Sequence, residues 1–241
     1  MNRKVTRGRN SISRLKVNFK RQKKEFVDRL LKWYALNKRT FIWREKKLTP
    51  YQVIILELML QRTPARRVEK VFEDFIRKFP DPITLHSASD NELESLLLTL
   101  GLQRRRRTLL KSLAGQLIKE YGGRVPVERE KLLSLPGVGL YVANAVMCYC
   151  YGITRPLVDT NAARVLKRVF GFKSRNDHSS EKHLWMFAEK ILPKNDAKSF
   201  NWALIDLGSL VCKPTIPNCS ECPMCDICKW FLNHGTQGCL R

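Results

Sequence analysis

The sequence predicts an all-α protein. Apolar residues recur at three- and four-residue spacing in every readable segment beyond residue 24, and no segment alternates polar and apolar residues over strand length. The punctuation agrees: helix-opening Thr-Pro and Ser-x-x-Glu sequences, and closing glycines, fall where the periodic runs begin and end.

Phe26, Val27, Leu30, Leu31 and Tyr34 make the first apolar stripe. Thr49-Pro50 supplies a cap and a first-turn proline for the run YQVIILELML. Pro64 opens a helix with Val68, Val71, Phe72, Phe75, Ile76 and Phe79 inward. Ser89-Asp-Asn-Glu92 reads as a capping box before Leu93, Leu96, Leu97 and Leu100, and Gly101 closes that helix. A helix over Arg104–Tyr121 stops at Gly122-Gly123. Further helices are expected over Val142–Tyr151, Asn161–Phe170, Glu181–Leu192 and Ala197–Val211. No internal repeat or long linker interrupts them.

At 241 residues and 44% hydrophobic composition the chain can bury a core, which excludes a disordered basic tail. Its mean hydropathy is −0.32, and no apolar run approaches the ~20 residues of a membrane span, so a soluble protein is expected. The 45 Lys+Arg against 22 Asp+Glu give +23, which points to a polyanionic partner, nucleic acid before others. Residues 1–24 hold ten of those cations and no acid, and read as a mobile arm. Setting the ten aside leaves 35 basic against 22 acidic residues, so the body is basic too. The arm lacks the apolar stretch of a secretory signal, so an intracellular location is expected, in prokaryotic cytoplasm or nucleoid. Its composition also fits an organellar or nuclear address.

Five of the eight cysteines lie within Cys212–Cys228, which in an intracellular chain suggests metal rather than disulfides. Cys212, Cys219, Cys222 and Cys228 form C-x6-C-x2-C-x5-C, a set of thiolates suited to zinc or to an iron–sulfur cluster. Two distant C-x2-C knuckles, the commoner zinc pattern, are missing, which favours the cluster. Cys225 falls inside the last interval, where it can substitute for a neighbour. Cys148 and Cys150 read as small buried residues, and Cys239 has no assignable role.

Leu135-Pro-Gly-Val-Gly139 runs straight into LYVANAVMCYC. A Pro-Gly-x-Gly turn at a helix entry aims backbone N–H groups outward at the positive end of the dipole, where a phosphate can be held. Two carboxylates stand out. Glu57 interrupts the apolar run Val53–Leu60, where burial is expected to raise its pKa. Asp159 precedes a helix, where N–H donors and the dipole are expected to keep it ionised. Such a split suits an acid and a charge stabiliser. Taken alone, Asp159 reads more simply as a helix cap and Glu57 as the partner of an arginine.

These pieces, in order LELMLQRT, GLQRRRR, GGRVP, LPGVGLYVANAV, VDTNAARVLKRVFG, FNWALIDLG and the cysteine loop, resemble the helix-hairpin-helix DNA glycosylases over roughly residues 26–230. The branch is that of endonuclease III and the adenine glycosylases. The resemblance implies two helical domains with the active site in the cleft between them. Residues 44–152 would form a six-helix barrel carrying the hairpin, and residues 25–43 with 153–241 a cluster domain. It also implies a [4Fe–4S] cluster on Cys212, Cys219, Cys222 and Cys228, and makes Asp159 the catalytic aspartate.

Where lyase-active members carry Lys two residues after the second hairpin glycine, this chain has Tyr141. A phenol cannot form an imine, so no Lys-based lyase activity is expected. Adenine glycosylases usually have Ser there and a C-terminal reading domain, whereas Tyr is similar to the mismatch-specific thymine glycosylases. The resemblance therefore implies a monofunctional enzyme that removes thymine or uracil opposite guanine, acting as a monomer on double-stranded DNA with no membrane partner. The alternative is an adenine glycosylase acting on A·G or A·8-oxoguanine. In this scheme Gly137, Val138 and Gly139 grip the backbone, Arg62 fills the vacated stack or contacts the widowed guanine, and Arg106 contacts phosphate within the run Arg104–Arg107. Glu57 protonates or hydrogen-bonds the departing base, Asp159 stabilises the sugar cation or orients water, and Tyr141 shapes the pocket.

Overall fold

The computed structural model describes residues 5–172 and 182–235, of which residues 5–18 are given as helix backbone only. Among the described residues every regular element is helical. The chain folds as two units, one of Met1–Arg39 with Pro156–Arg241 and one of Thr40–Arg155.

The first unit begins with α1 (Val5–Asn37). Residues 5–24, expected as part of a basic arm, are continuous with that helix. The reason is legible in retrospect. No proline interrupts Val5–Asn37, and Ile12, Leu15 and Phe19 extend the stripe of Phe26 and Leu30 upstream at helical spacing. Phe19 meets Phe187 edge-on at 6.0 Å between ring centroids. High charge density masked a period that was present.

The second unit holds α2 (Ile42–Glu45), α3 (Pro50–Leu60), α4 (Ala65–Lys78), α5 (Pro82–Ser87) and α6 (Asp90–Leu97). A 3-10 turn at Leu98–Leu100 leads to α7 (Gln103–Tyr121), α8 (Arg129–Leu133) and α9 (Leu140–Tyr151). The short helices α5 and α8 lacked a readable period. Thr49 and Gln52 form a reciprocal capping box at the start of α3, with bonds of 3.3 and 3.0 Å. Apolar on every side, α3 is the buried centre of this unit, with Val53 through Met59 all inside. The chain enters the unit at Thr40 because Trp43 is committed to it. Trp43 stacks on Phe41 at 4.7 Å and meets Phe72 of α4 edge-on at 6.1 Å.

The chain then returns to the first unit with α10 (Thr160–Phe170), α11 (Lys182–Ile191) and α12 (Ala197–Leu210). Two 3-10 turns, Cys219–Glu221 and Cys225–Ile227, precede α13 (Lys229–His234). Phe26 of α1 packs against Phe170 and Phe200 at 5.0 and 6.2 Å. Asp206 of α12 is fully buried, and Arg39 satisfies it twice, through Nε at 2.6 Å and its backbone N–H at 3.0 Å. A buried carboxylate held this way pins the point where the chain leaves the unit.

Candidate active site and cysteine loop

In the Thr40–Arg155 unit, the end of α3, the start of α7 and the hairpin meet. Gly137 has φ +76°, and a Cβ there would lie 3.0 Å from side-chain carbons of Leu58 and Leu109. The positive φ favours glycine, and a Cβ would press on the ends of those leucine side chains. Gln61 Nε2 donates to the Gly137 carbonyl at 3.4 Å, and Val138 is buried beneath the turn. Gly139 then caps α9 with no side-chain hydrogen bond, and the space where its Cβ would sit is open. The first turn of α9 thus presents backbone donors to an approaching anion. Tyr141, the second residue of α9, is half-buried. Glu57 is buried at 8% exposure near the end of α3, among apolar neighbours in sequence.

Arg106 does not serve the phosphate-contacting role expected of it. It is buried, and its side-chain N–H groups are all spent inside the protein. Nη1 donates to the Leu58 and Met59 carbonyls at 2.8 and 3.3 Å. Nη2 donates to the Gln61 carbonyl and Thr63 Oγ1 at 2.9 and 2.7 Å, and Nε to the Gly101 carbonyl at 3.0 Å. Helix α3 ends without a basic residue of its own, so this guanidinium satisfies carbonyls at its negative end. Burial lowers the Arg106 pKa. Of its neighbours, Arg107 pairs with Asp90 and Glu94 at 2.7 and 2.8 Å, while Arg104 and Arg105 are exposed.

Arg62 lies in the loop that Arg106 holds, exposed and at φ +57°. Leu102 is the other non-glycine residue with positive φ among the described residues, at +55°, and is 56% exposed. Left-handed backbone at such residues costs ~1–2 kcal/mol each, and such strain gathers at functional sites. Sequence reasoning missed Leu102, since a leucine after glycine carries no sign of its conformation.

In the other unit, Asp159 is the N-cap of α10. Its Oδ1 accepts the Ala162 N–H at 2.7 Å and its Oδ2 accepts Asn161 Nδ2 at 2.9 Å. Burial raises its carboxyl above the usual carboxylate range, and those two bonds with the charge of Arg164 offset this only in part. Desolvation thus outweighs the local donors in the direction of the shift. Arg164, also missed, is a buried cation on α10, whose Ala162, Ala163, Val165 and Leu166 are buried as well. It donates to Asn161 Oδ1 at 2.8 Å, to the Gly208 carbonyl at 2.7 Å and to the Cys212 carbonyl at 2.7 Å. An unbroken chain of hydrogen bonds thus runs from the first loop cysteine to Asp159. Gly208 permits it, since a Cβ there would fall 2.7 Å from Asn161 Cβ and 2.8 Å from its carbonyl oxygen.

Cys212, Cys219, Cys222, Cys225 and Cys228 all line one pocket whose walls include Val165, Leu207, Trp230 and Phe231. No disulfide joins any described cysteine. Burial pushes the Cys222 thiol up to about 12, with the neighbouring thiols adding to the shift, and burial also raises Cys228. Arg168 stacks on Trp230 at 4.9 Å, donates to Cys212 Sγ at 3.4 Å and anchors the loop through the Lys213 and Pro214 carbonyls. Among the described residues no three His, Cys, Asp or Glu side chains are arranged to hold a single metal ion. The thiols surround a space instead, and an all-sulfur donor set in an apolar cavity fits an iron–sulfur cluster. Cys239 lies outside the described residues.

Residues 55–190 match the HhH-GPD superfamily of base excision DNA repair proteins. The chain belongs to this superfamily. Among similar HhH-GPD proteins is the thymine-DNA glycosylase of Aeropyrum pernix, 38% identical over 210 residues that cover 85% of this chain and 93% of the relative. The thymine/uracil-DNA glycosylase of Pyrobaculum aerophilum is 36% identical over 213 residues, covering 86% and 92%. The solved structure of a thermostable thymine-DNA glycosylase superposes with a TM-score of 0.85 at 34% identity, covering 89% of this chain and 99% of the other. The HhH-GPD match spans α3 through most of α11, and so contains the hairpin and Asp159 but not the cysteine loop.

Proposed function

We propose that this HhH-GPD protein is a monofunctional DNA glycosylase that hydrolyses the N-glycosidic bond of thymine or uracil opposite guanine. The observation that carries the reading is the Asp159 carboxylate, fixed on two donors and partly desolvated, in a chain similar along most of its length to glycosylases of those bases. A desolvated anion gains more from a developing positive charge than a hydrated one does, which suits stabilisation of an oxocarbenium-like sugar. The uncapped start of α9 and the Gly137–Gly139 turn hold the DNA backbone. A mispaired nucleotide costs less to turn out of the helix, and that difference contributes selectivity. Arg62 and Leu102 enter the space it leaves. Glu57 gives a proton or hydrogen bond to the departing base. Tyr141 stands where an imine-forming amine would be needed and shapes the pocket instead.

Cys212, Cys219, Cys222 and Cys228 hold a [4Fe–4S] cluster in this reading. Bound there, it supplies charge and cross-links to the loop. Around it, Arg168 and Arg164 brace the loop against α10.

The test is a panel of duplexes bearing one G·T, G·U, A·G or A·8-oxoguanine pair, with base release read as alkali-dependent strand cleavage. Release from G·T or G·U is expected. Release from the adenine pairs alone would replace this reading with the adenine one. Cleavage without alkali that borohydride traps as a covalent adduct would contradict the role of Tyr141.

A further inference from the structure

Two exposed, strained residues share one buried anchor. Gln61 and Thr63 flank Arg62, and both accept hydrogen bonds from Arg106 Nη2. Gly101 precedes Leu102 and accepts from Arg106 Nε, while the Arg106 backbone N–H donates to the Leu102 carbonyl at 2.9 Å. Thr63 Oγ1 also reaches the Leu100 carbonyl at 3.5 Å, tying the two loops directly. Neither strained residue is itself buried, so its own contacts do not hold its conformation. The Leu58 and Met59 carbonyls fix the guanidinium to the rigid end of α3.

We propose that Arg106 is a positioning residue that sets Arg62 and Leu102 in their outward conformations before DNA arrives. The pair then enters the space of a displaced nucleotide without reorganising first. Preorganisation of this kind lowers the barrier to the step it serves. A planar guanidinium with five donors can bridge both loops and the helix end, whereas an ammonium with three cannot. The proposal rests on the glycosylase reading, in that a nucleotide must leave the stack.

The experiment compares wild type, Arg106→Lys and Thr63→Val, which keeps the arginine but removes one of its acceptors. Each is followed by thermal unfolding, by single-turnover base release and by the fluorescence of a 2-aminopurine beside the mismatch, which reports extrusion. For Arg106→Lys we expect a loss of about 10–100-fold in extrusion and release on G·T or G·U pairs. The loss should shrink to within about 3-fold for uracil opposite an abasic spacer, where no pairing opposes extrusion. Thr63→Val should show the same dependence on substrate at smaller size. Equal losses on paired and spacer substrates in the folded variants would make Arg106 merely structural and overturn the proposal. So would unchanged extrusion in Arg106→Lys. A wild type that extrudes the nucleotide but releases no base would sink the glycosylase reading alone, because the extrusion comparison still decides the role of Arg106.

Discussion

The two units secure their functional groups by different means. In Thr40–Arg155 the groups proposed to meet DNA are an uncapped helix start, a glycine turn and two left-handed loop residues, fixed by carbonyls that converge on Arg106. In the other unit they are side chains in series, from the Cys212 carbonyl through Arg164 and Asn161 to Asp159. The first arrangement should fail when a Cβ is added or a donor removed. The second should fail at any single link, and its failure should appear in chemistry before it appears in folding.

The sharpest test of that contrast is Asp159→Asn. Asparagine is as good an N-cap as aspartate, so α10 should survive. Because burial raises the Asp159 carboxyl, the anion costs the native state stability as pH rises through its folded pKa, and that cost is absent below the unfolded value. The variant should therefore melt at the same or a higher temperature at neutral pH, while single-turnover release falls about 10²–10⁴-fold. Full activity would remove Asp159 from the mechanism.

Asn161→Ala breaks the next link and should cost less, about 10-fold. It also has a sign that a general weakening lacks. The Asn161 bond lowers the Asp159 pKa, so its removal should move the acid limb of the rate profile to higher pH. In wild type that limb should already lie above the ordinary aspartate range, as the raised pKa requires. An unmoved limb would mean that the chain of hydrogen bonds does not tune the carboxylate.

The backbone-built site is tested by its two glycines. Gly137→Ala meets a positive φ and carbons at 3.0 Å, so it should destabilise the fold by about 1–3 kcal/mol and weaken DNA binding. Gly139→Ala meets open space at an extended φ and should cost only the loss of a good N-cap residue, about 0.5–1 kcal/mol. Thermal unfolding with a binding isotherm separates the two. Equal effects would mean that the turn relies less on glycine than its geometry implies.

Much of this was legible in sequence for a physical reason. Helices announce themselves by period and caps, and the Thr49-Pro50 start, the glycine turn and the cysteine spacing are local patterns written in adjacent residues. Asp159 and Glu57 stood out because charge is unusual beside apolar runs. What stayed hidden depended on distant partners. Arg106 reads as one cation among four until the carbonyls at the end of α3 claim it, and Arg164 gains meaning only when Asn161, Gly208 and Cys212 gather around it. The upward direction of the Asp159 shift was hidden for the same reason, since local donors are visible in sequence and desolvation by the rest of the unit is not.

The smallest expected effect tests what remains of the arginine run. With Arg106 internal and Arg107 paired to Asp90 and Glu94, only Arg104 and Arg105 of the four are exposed. Each cation that neutralises a phosphate contributes about 0.9 to the slope of log affinity against log salt on duplex DNA. Arg104→Ala and Arg105→Ala should each flatten that slope by about one without changing the single-turnover rate at saturating enzyme. Arg107→Ala should leave the slope nearly unchanged, because its charge is already spent on two carboxylates. A slope that flattens as much for Arg107 as for Arg105 would show that those ion pairs open on DNA, and that this helix start meets the duplex as a flat cationic face.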